Sequence, residues 1–180
     1  VTPGTPADAK GLMKTAIRDN DPVIIFEDGT LLSTRGEVPD DPDFTVPFGV
    51  ANVLREGADV TVVAIAGSVP HAVAAAEEMA KEGVSVEVID PRTLVPLDKE
   101  TILNSVGKTG RLVVADPAAK VCSAASEIMS IVGEEAFWDL QAPMQKVASK
   151  QVHIPFSPSL EKLVYPTRDG IITAIKKTLG

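Results

Sequence analysis

From residue 59 onward, short apolar runs alternate with longer amphipathic ones, and few architectures accept that pattern. Asp59–Ala66, Val84–Ile89, Arg111–Ala115 and Met144–Val147 read as strands. Between them lie segments of helical spacing. One is opened by Ser68 and Pro70, runs to about Glu82 and is ended by Gly83. The next is capped by Asp98 and carries Ile102, Leu103 and Val106. A third is capped by Ser123 and carries Ile128, Ile131 and Val132. A last helix begins near Asp169, with Ile171, Ile172, Ala174, Ile175 and Leu179 as its apolar face. Strands joined through helices need crossover connections, so the pattern implies an α/β fold with a mostly parallel sheet covered on both sides.

The first 48 residues do not belong to that alternation. Thr5 suits an N-cap, Pro6 the first helical position, and Asp8 the positive end of a helix whose stripe is Leu12, Met13, Ala16 and Ile17. Asp19-Asn20-Asp21-Pro22 should end it. Val23-Ile24-Ile25-Phe26 then reads as a wholly apolar strand, which requires sheet neighbours that one helix cannot supply. Residues 28–48, with Asp28-Gly29, Gly36, Pro39, Asp40-Asp41-Pro42-Asp43 and Pro47, read as an acidic, turn-rich linker at a domain edge. The chain opens at Val1 rather than at methionine, and we expect it to be a piece of a longer polypeptide.

Charge and cysteine usage narrow the function classes. A net charge of −8 argues against nucleic acid and favours a basic protein partner. The single cysteine, Cys122, permits no intrachain disulfide and points to a reducing compartment. No apolar run reaches the roughly 18 residues of a membrane span.

Few residues announce chemistry. No glycine-rich phosphate motif occurs, and Ala66-Gly67-Ser68 reads as a tight turn with an N-cap. His71, in a first helical turn, is a candidate interface residue. His71 and His153 are too far apart in sequence to suggest a shared metal. Cys122 reads as a small buried residue near a helix start; an enzyme built on its thiol is the weaker reading. Asp40-Asp41-Asp43 and Glu134-Glu135 read as solvated surface. With no nucleophile–base pair and no ligand set, the residues favour a binding or assembly role over autonomous catalysis, and a free-standing α/β binding module remains an alternative.

Three stretches are recognisable together. Glu87-Val88-Ile89-Asp90-Pro91-Arg92-Thr93-Leu94-Val95-Pro96-Leu97-Asp98, the run Val106–Val114, and Glu56–Ala64 resemble the transketolase C-terminal domain family. Pro22–Glu27, Leu31-Leu32 and Gly36–Pro39 resemble the end of the pyrimidine-binding domain in beta subunits of pyruvate, branched-chain 2-oxo acid and acetoin dehydrogenases. The tail Ile171–Leu179 is similar to the end of pyruvate dehydrogenase beta subunits.

The resemblance implies a three-layer α/β/α domain over residues 46–180, with a mixed, mostly parallel sheet of about five strands. Residues 1–45 would be the end of the preceding domain plus the linker. The family implies oxidative decarboxylation of a 2-oxo acid with acyl transfer to lipoyl groups. Thiamine diphosphate and Mg bind there between alpha and beta subunits, and the beta-side catalytic glutamate and histidine lie upstream of the part seen here. This part would be inactive alone, bind no cofactor, contact the alpha subunit and another beta subunit, and dock the subunit-binding domain of a dihydrolipoyl acyltransferase. The resemblance places the protein in the cytoplasm, or in the mitochondrial matrix of a eukaryote. Carried over residue by residue, it marks Ala16, Asp19 and Asp21 as half of a potassium site. It also marks Gln141, where pyruvate dehydrogenases have an aspartate before Ala-Pro, with Asp139 nearby, for docking the acyltransferase.

Overall fold

A computed structural model describes all 180 residues. In chain order the elements are α1 (Pro6–Arg18), β1 (Asn52–Arg55), β2 (Val60–Ala64), α2 (Val69–Lys81), β3 (Val86–Asp90), α3 (Lys99–Thr109), β4 (Leu112–Ala119), α4 (Ala124–Glu135), β5 (Gln145–Ser149), α5 (Pro158–Glu161) and α6 (Arg168–Leu179). The five strands form one sheet in the order β1-β3-β2-β4-β5. β3, β2, β4 and β5 run parallel, and β1 pairs antiparallel with β3. The mixed, mostly parallel sheet is therefore as expected. β1 is the strand the sequence reading passes over, because Asn52–Arg55 is short, half-exposed and lies in a stretch without helical flanks.

Successive residues of a strand face opposite sides, so each central strand feeds two cores. Val62, Val88, Val113 and Ala115 face one side, where α2 and α6 bring Ala72, Ala76, Met79, Ile171 and Ile175. Val63, Ile89, Leu112 and Val114 face the other, where α3 and α4 bring Ile102, Val106, Ile128 and Val132. The helices cover both faces, and the result is three layers. No helix is long and apolar enough to cross a membrane.

Buried polar groups fix how the helices sit. Thr61, near the start of β2 and fully buried, shares hydrogen bonds with the hydroxyls of Ser105 (2.6 Å) and Thr109 (2.7 Å) on α3. Buried hydroxyls are costly unless paired, so this trio sets α3 over β2. Glu87, on β3, is also buried. Burial pushes its carboxyl upward. Hydrogen bonds from the Lys108 ammonium, the Ser105 hydroxyl and the Gly57 amide outweigh that and hold it below the usual carboxylate range.

The helix caps show where local reading suffices. Thr5 accepts from the Asp8 amide, Asp98 from the Thr101 amide and Thr167 from the Gly170 amide, each a side chain serving its own helix. Gly83 and Gly110 follow α2 and α3 with φ of 82° and 67°. Two expected caps are replaced. Ser68 already has helical backbone angles and makes no capping bond, because Ala66–Ser68 forms a 3-10 turn before α2. Ser123 also makes none, and the Ala125 amide is taken at 3.0 Å by Asp116 Oδ2 from within β4.

The opening unit departs most from its sequence reading. Residues 23–26 join no sheet. The Phe26 amide donates to Val1 O (2.9 Å), and the Val1 ammonium donates to Ile24 O (2.7 Å). Ile24 and Phe26 stay exposed, at 69% and 61%. Helices cover both faces of the five-stranded sheet, and neither of its edge strands, β1 and β5, pairs with this segment.

Candidate functional site

The α1 unit is held to the sheet by a buried charged cluster at the end of β3. The Thr2 amide donates to Arg92 O at 2.8 Å. Arg92 Nε lies 2.7 Å from Asp8 Oδ1, close enough for an ion pair although the N–H is not aligned on that oxygen. Asp90 Oδ1 accepts from the Arg92 amide at 2.8 Å, and its Oδ2 has no partner. Asp90 is fully buried, and burial pushes its carboxyl up to about 7. The Arg92 amide and guanidinium oppose the rise and the Asp8 charge adds to it. Gly4 is required beside this group: a Cβ there would stand 2.3 Å from Asp90 Oδ2. The sequence reading cited Asp90 and Arg92 only as part of a motif. The signal available was a charged pair, Asp90 and Arg92, at the end of a Val/Ile-rich strand.

The sheet's carboxyl edge also carries a crevice. In parallel α/β sheets, ligand sites form where neighbouring strands send their connections in opposite directions. β2 leads towards β3 on one side, while β4, on its other side, leads on to β5. Between their carboxyl ends lies a cavity of about 400 Å³. Ile65 and Ala66 line it from β2, and Asp116 to Ala118 with Cys122 to Ala124 from β4 and the start of α4; Phe26, Glu27 and Asp28 cover it. Three non-glycine residues adopt positive φ, namely Ala66 (45°), Arg92 (60°) and Cys122 (53°), and all three follow the carboxyl ends of β2, β3 and β4. Such strain persists only where surroundings enforce it, and it collects at sites.

The acidic groups of the crevice are organised by backbone amides. Asp116, 2% exposed, accepts from Ala118 (2.8 Å) and Ala125 (3.0 Å). Asp28 accepts from Gly67 (3.1 Å) and Thr30 (2.9 Å). The Ser123 hydroxyl, in a residue 8% exposed, has no partner.

The residues singled out in the sequence are scattered. Ala16 lies in the last turn of α1, and Asp19 and Asp21 are exposed just beyond it; the Asp19 amide donates to Ala16 O (3.3 Å) and the Asp21 amide to Asp19 Oδ1 (2.9 Å). Asp139 and Gln141 are both exposed beyond α4, Asp139 in a 3-10 turn with Phe137 and Trp138. The Gln141 amide donates to Gly110 O at 2.8 Å, and its side chain packs over Gly110. His71 is exposed on α2 beside a cleft with Tyr165 and Lys162, and His153 is exposed in a loop. Cys122 is exposed, not buried: the left-handed turn preceding α4 carries it to the surface. No three His, Cys, Asp or Glu side chains converge on a metal-sized point.

Comparison with known proteins gives this geometry a family. Residues 49–171 match the family model described as transketolase, C-terminal domain. The chain is 43% identical over 180 residues to the acetoin:2,6-dichlorophenolindophenol oxidoreductase subunit beta of Bacillus subtilis, covering all of this chain and 52% of that one. It is 44% identical over 181 residues to the pyruvate dehydrogenase E1 component subunit beta of Leifsonia xyli, covering all of this chain and 53% of the relative. Among solved structures, it superposes on a split-gene transketolase, described as an inactive beta4 tetramer, with a TM-score of 0.79 and 28% identity, over 98% of this chain and 55% of that one. The chain thus spans about half the length of the curated relatives it matches. Its five-stranded mixed sheet and the match over residues 49–171 establish that this chain belongs to the transketolase C-terminal domain family.

Proposed function

We propose that the chain is the C-terminal portion of the beta subunit of the decarboxylating component of a 2-oxo acid dehydrogenase, and that it supplies association and docking surfaces rather than the reacting groups. The observation that carries this is coverage. Dehydrogenase and oxidoreductase beta subunits align with the whole of this chain, while the chain accounts for about half of each. The exposed Ile24 and Phe26 fit the same reading: residues 1–45 would close an upstream domain, whose sheet would take up the 23–26 segment, and residues 46–180 would form the transketolase C-terminal domain.

In the intact complex the reaction would be decarboxylation of a 2-oxo acid on thiamine diphosphate, with Mg, followed by acyl transfer to a lipoyl group. The residues of this chain do not fit that cofactor. No three potential metal ligands converge, and the crevice at the sheet edge is acidic where a diphosphate needs cations or free amides. We assign to this chain contacts with an alpha subunit, with a second beta subunit in which His71 takes part, and with the basic subunit-binding domain of a dihydrolipoyl acyltransferase. Asp139 and Gln141 would meet that domain, and the surface charge of −8 suits it. Ala16, Asp19 and Asp21 would give half of a potassium site, and the complex would work in the cytoplasm or the mitochondrial matrix.

Calorimetric titration of this chain with an isolated acyltransferase subunit-binding domain tests the proposal. Saturable binding is expected, weakened about tenfold or more by Asp139→Lys. A monomeric chain that shows no binding would favour a free-standing module. Robust decarboxylation after adding only an alpha subunit and thiamine diphosphate would refute the claim that the reacting groups lie elsewhere.

A further inference from the structure

We propose that the crevice between the carboxyl ends of β2 and β4 is a binding site for a small organic ammonium ion with an apolar body. The site is separate from the docking residues Asp139 and Gln141, neither of which lines it. Its size is right: about 400 Å³ lies within the range of small-molecule sites. It sits where the connections diverge, and its rims at Ala66 and Cys122 are held in left-handed backbone.

Charge selects the occupant. Glu27, Asp28 and Asp116 line the crevice, and no lysine, arginine or histidine does. An anion would meet uncompensated repulsion there, while a cation would gain from all three carboxylates. Asp28 and Asp116 already receive two backbone amides each, which orients them. Glu27 makes no hydrogen bond or ion pair within the chain and is free to meet an ammonium directly. The ligand groups do not converge as a metal ion would require.

The rest of the wall is apolar: Phe26, Ile65, Leu94 and Ala124 offer a surface for hydrocarbon. One buried polar group remains unused. Ser123 Oγ has no partner in a residue more than nine-tenths buried, and an unsatisfied buried hydroxyl is a standing cost that an ammonium N–H donor would remove. An occupant with a donating cationic head and a short aliphatic body meets each of these features. A phosphate, a carboxylate or a bare cation does not.

Cys122, the only cysteine, lines the crevice and reports on it. The test is its rate of alkylation by iodoacetamide, followed by intact mass, in the presence of n-butylammonium, n-butanol, butyrate or sodium chloride at matched concentration and ionic strength. Butylammonium is expected to slow alkylation saturably, and the other three are not. Glu27→Gln is expected to weaken that protection about fivefold, the loss typical of one partly exposed charge pair. Ser123→Ala, a smaller change, is expected to weaken it without altering the rate in sodium chloride. Equal protection by butanol or butyrate, no saturation with butylammonium, or undiminished protection in Glu27→Gln would overturn the proposal.

Discussion

Asp90 makes stability depend on pH in a direction opposite to that of most carboxylates. Its carboxyl is fully buried at the end of β3 and titrates near 7 instead of 3.8. The charged groups around it are Asp8 on α1 and Arg92 in its own loop, which act in opposite directions. The folded-state value lies above the unfolded one. The protonated carboxyl therefore contributes its full share below pH 3.8, and that share is lost as pH rises towards 7. Each pH unit in this window costs about 1.4 kcal/mol, so the loss reaches roughly 4 kcal/mol above pH 7. Asp90→Asn keeps an oxygen for the Arg92 amide and removes the titration. Urea unfolding of both proteins at several pH values measures the effect. The stability of Asp90→Asn relative to the parent should climb by about 3 kcal/mol between pH 5 and pH 8, with unchanged denaturant slopes. A difference that is the same at both pH values would show that Asp90 ionises as freely in the folded chain as in the unfolded one.

Other substitutions probe the fold. Thr61→Val removes the hydroxyl shared by Ser105 and Thr109, and should cost about 1–3 kcal/mol in urea unfolding because buried hydroxyls lose a partner. Gly57→Ala would set a Cβ 2.1 Å from the Glu87 amide nitrogen. Backbone must move to admit it, and a loss of about 2 kcal/mol or more is expected, read as a fall in melting temperature. Lys108→Met leaves the buried Glu87 without its ammonium partner. In the parent, the lowered Glu87 value adds stability above its unfolded value of 4.5 that is lost as pH falls through the folded one. The variant should be least stable at neutral pH and should close the gap with the parent as the solution is acidified.

Much of the architecture was readable before any coordinates because it rests on local physics. Short Val/Ile-rich runs separated by helical stretches imply a mostly parallel sheet, and Thr5 and Asp98 cap their helices with side chains three residues from the amides they serve. Reading failed where a distant residue took over a local job. Asp116 caps α4 in place of Ser123, and Asp28 takes the Gly67 amide 39 residues away while the Ser68 hydroxyl goes unpaired. β1 was missed because four half-exposed residues carry no periodicity strong enough to stand out, and only pairing with β3 makes them a strand. The exposure of Cys122 depends on a left-handed backbone turn that its neighbours in sequence do not foreshadow.

The sequence alone settled that this is a parallel-type α/β domain and, through its motif stretches, which family it resembles, because apolar periodicity and capping act over a few residues. Only the tertiary structure brought Asp8, Asp90 and Arg92 into one buried cluster and set three carboxylates around an apolar crevice at the diverging ends of β2 and β4. Those groupings join segments tens of residues apart, and their energies come from burial and from charge at close range. Neither quantity exists until the chain has closed on itself.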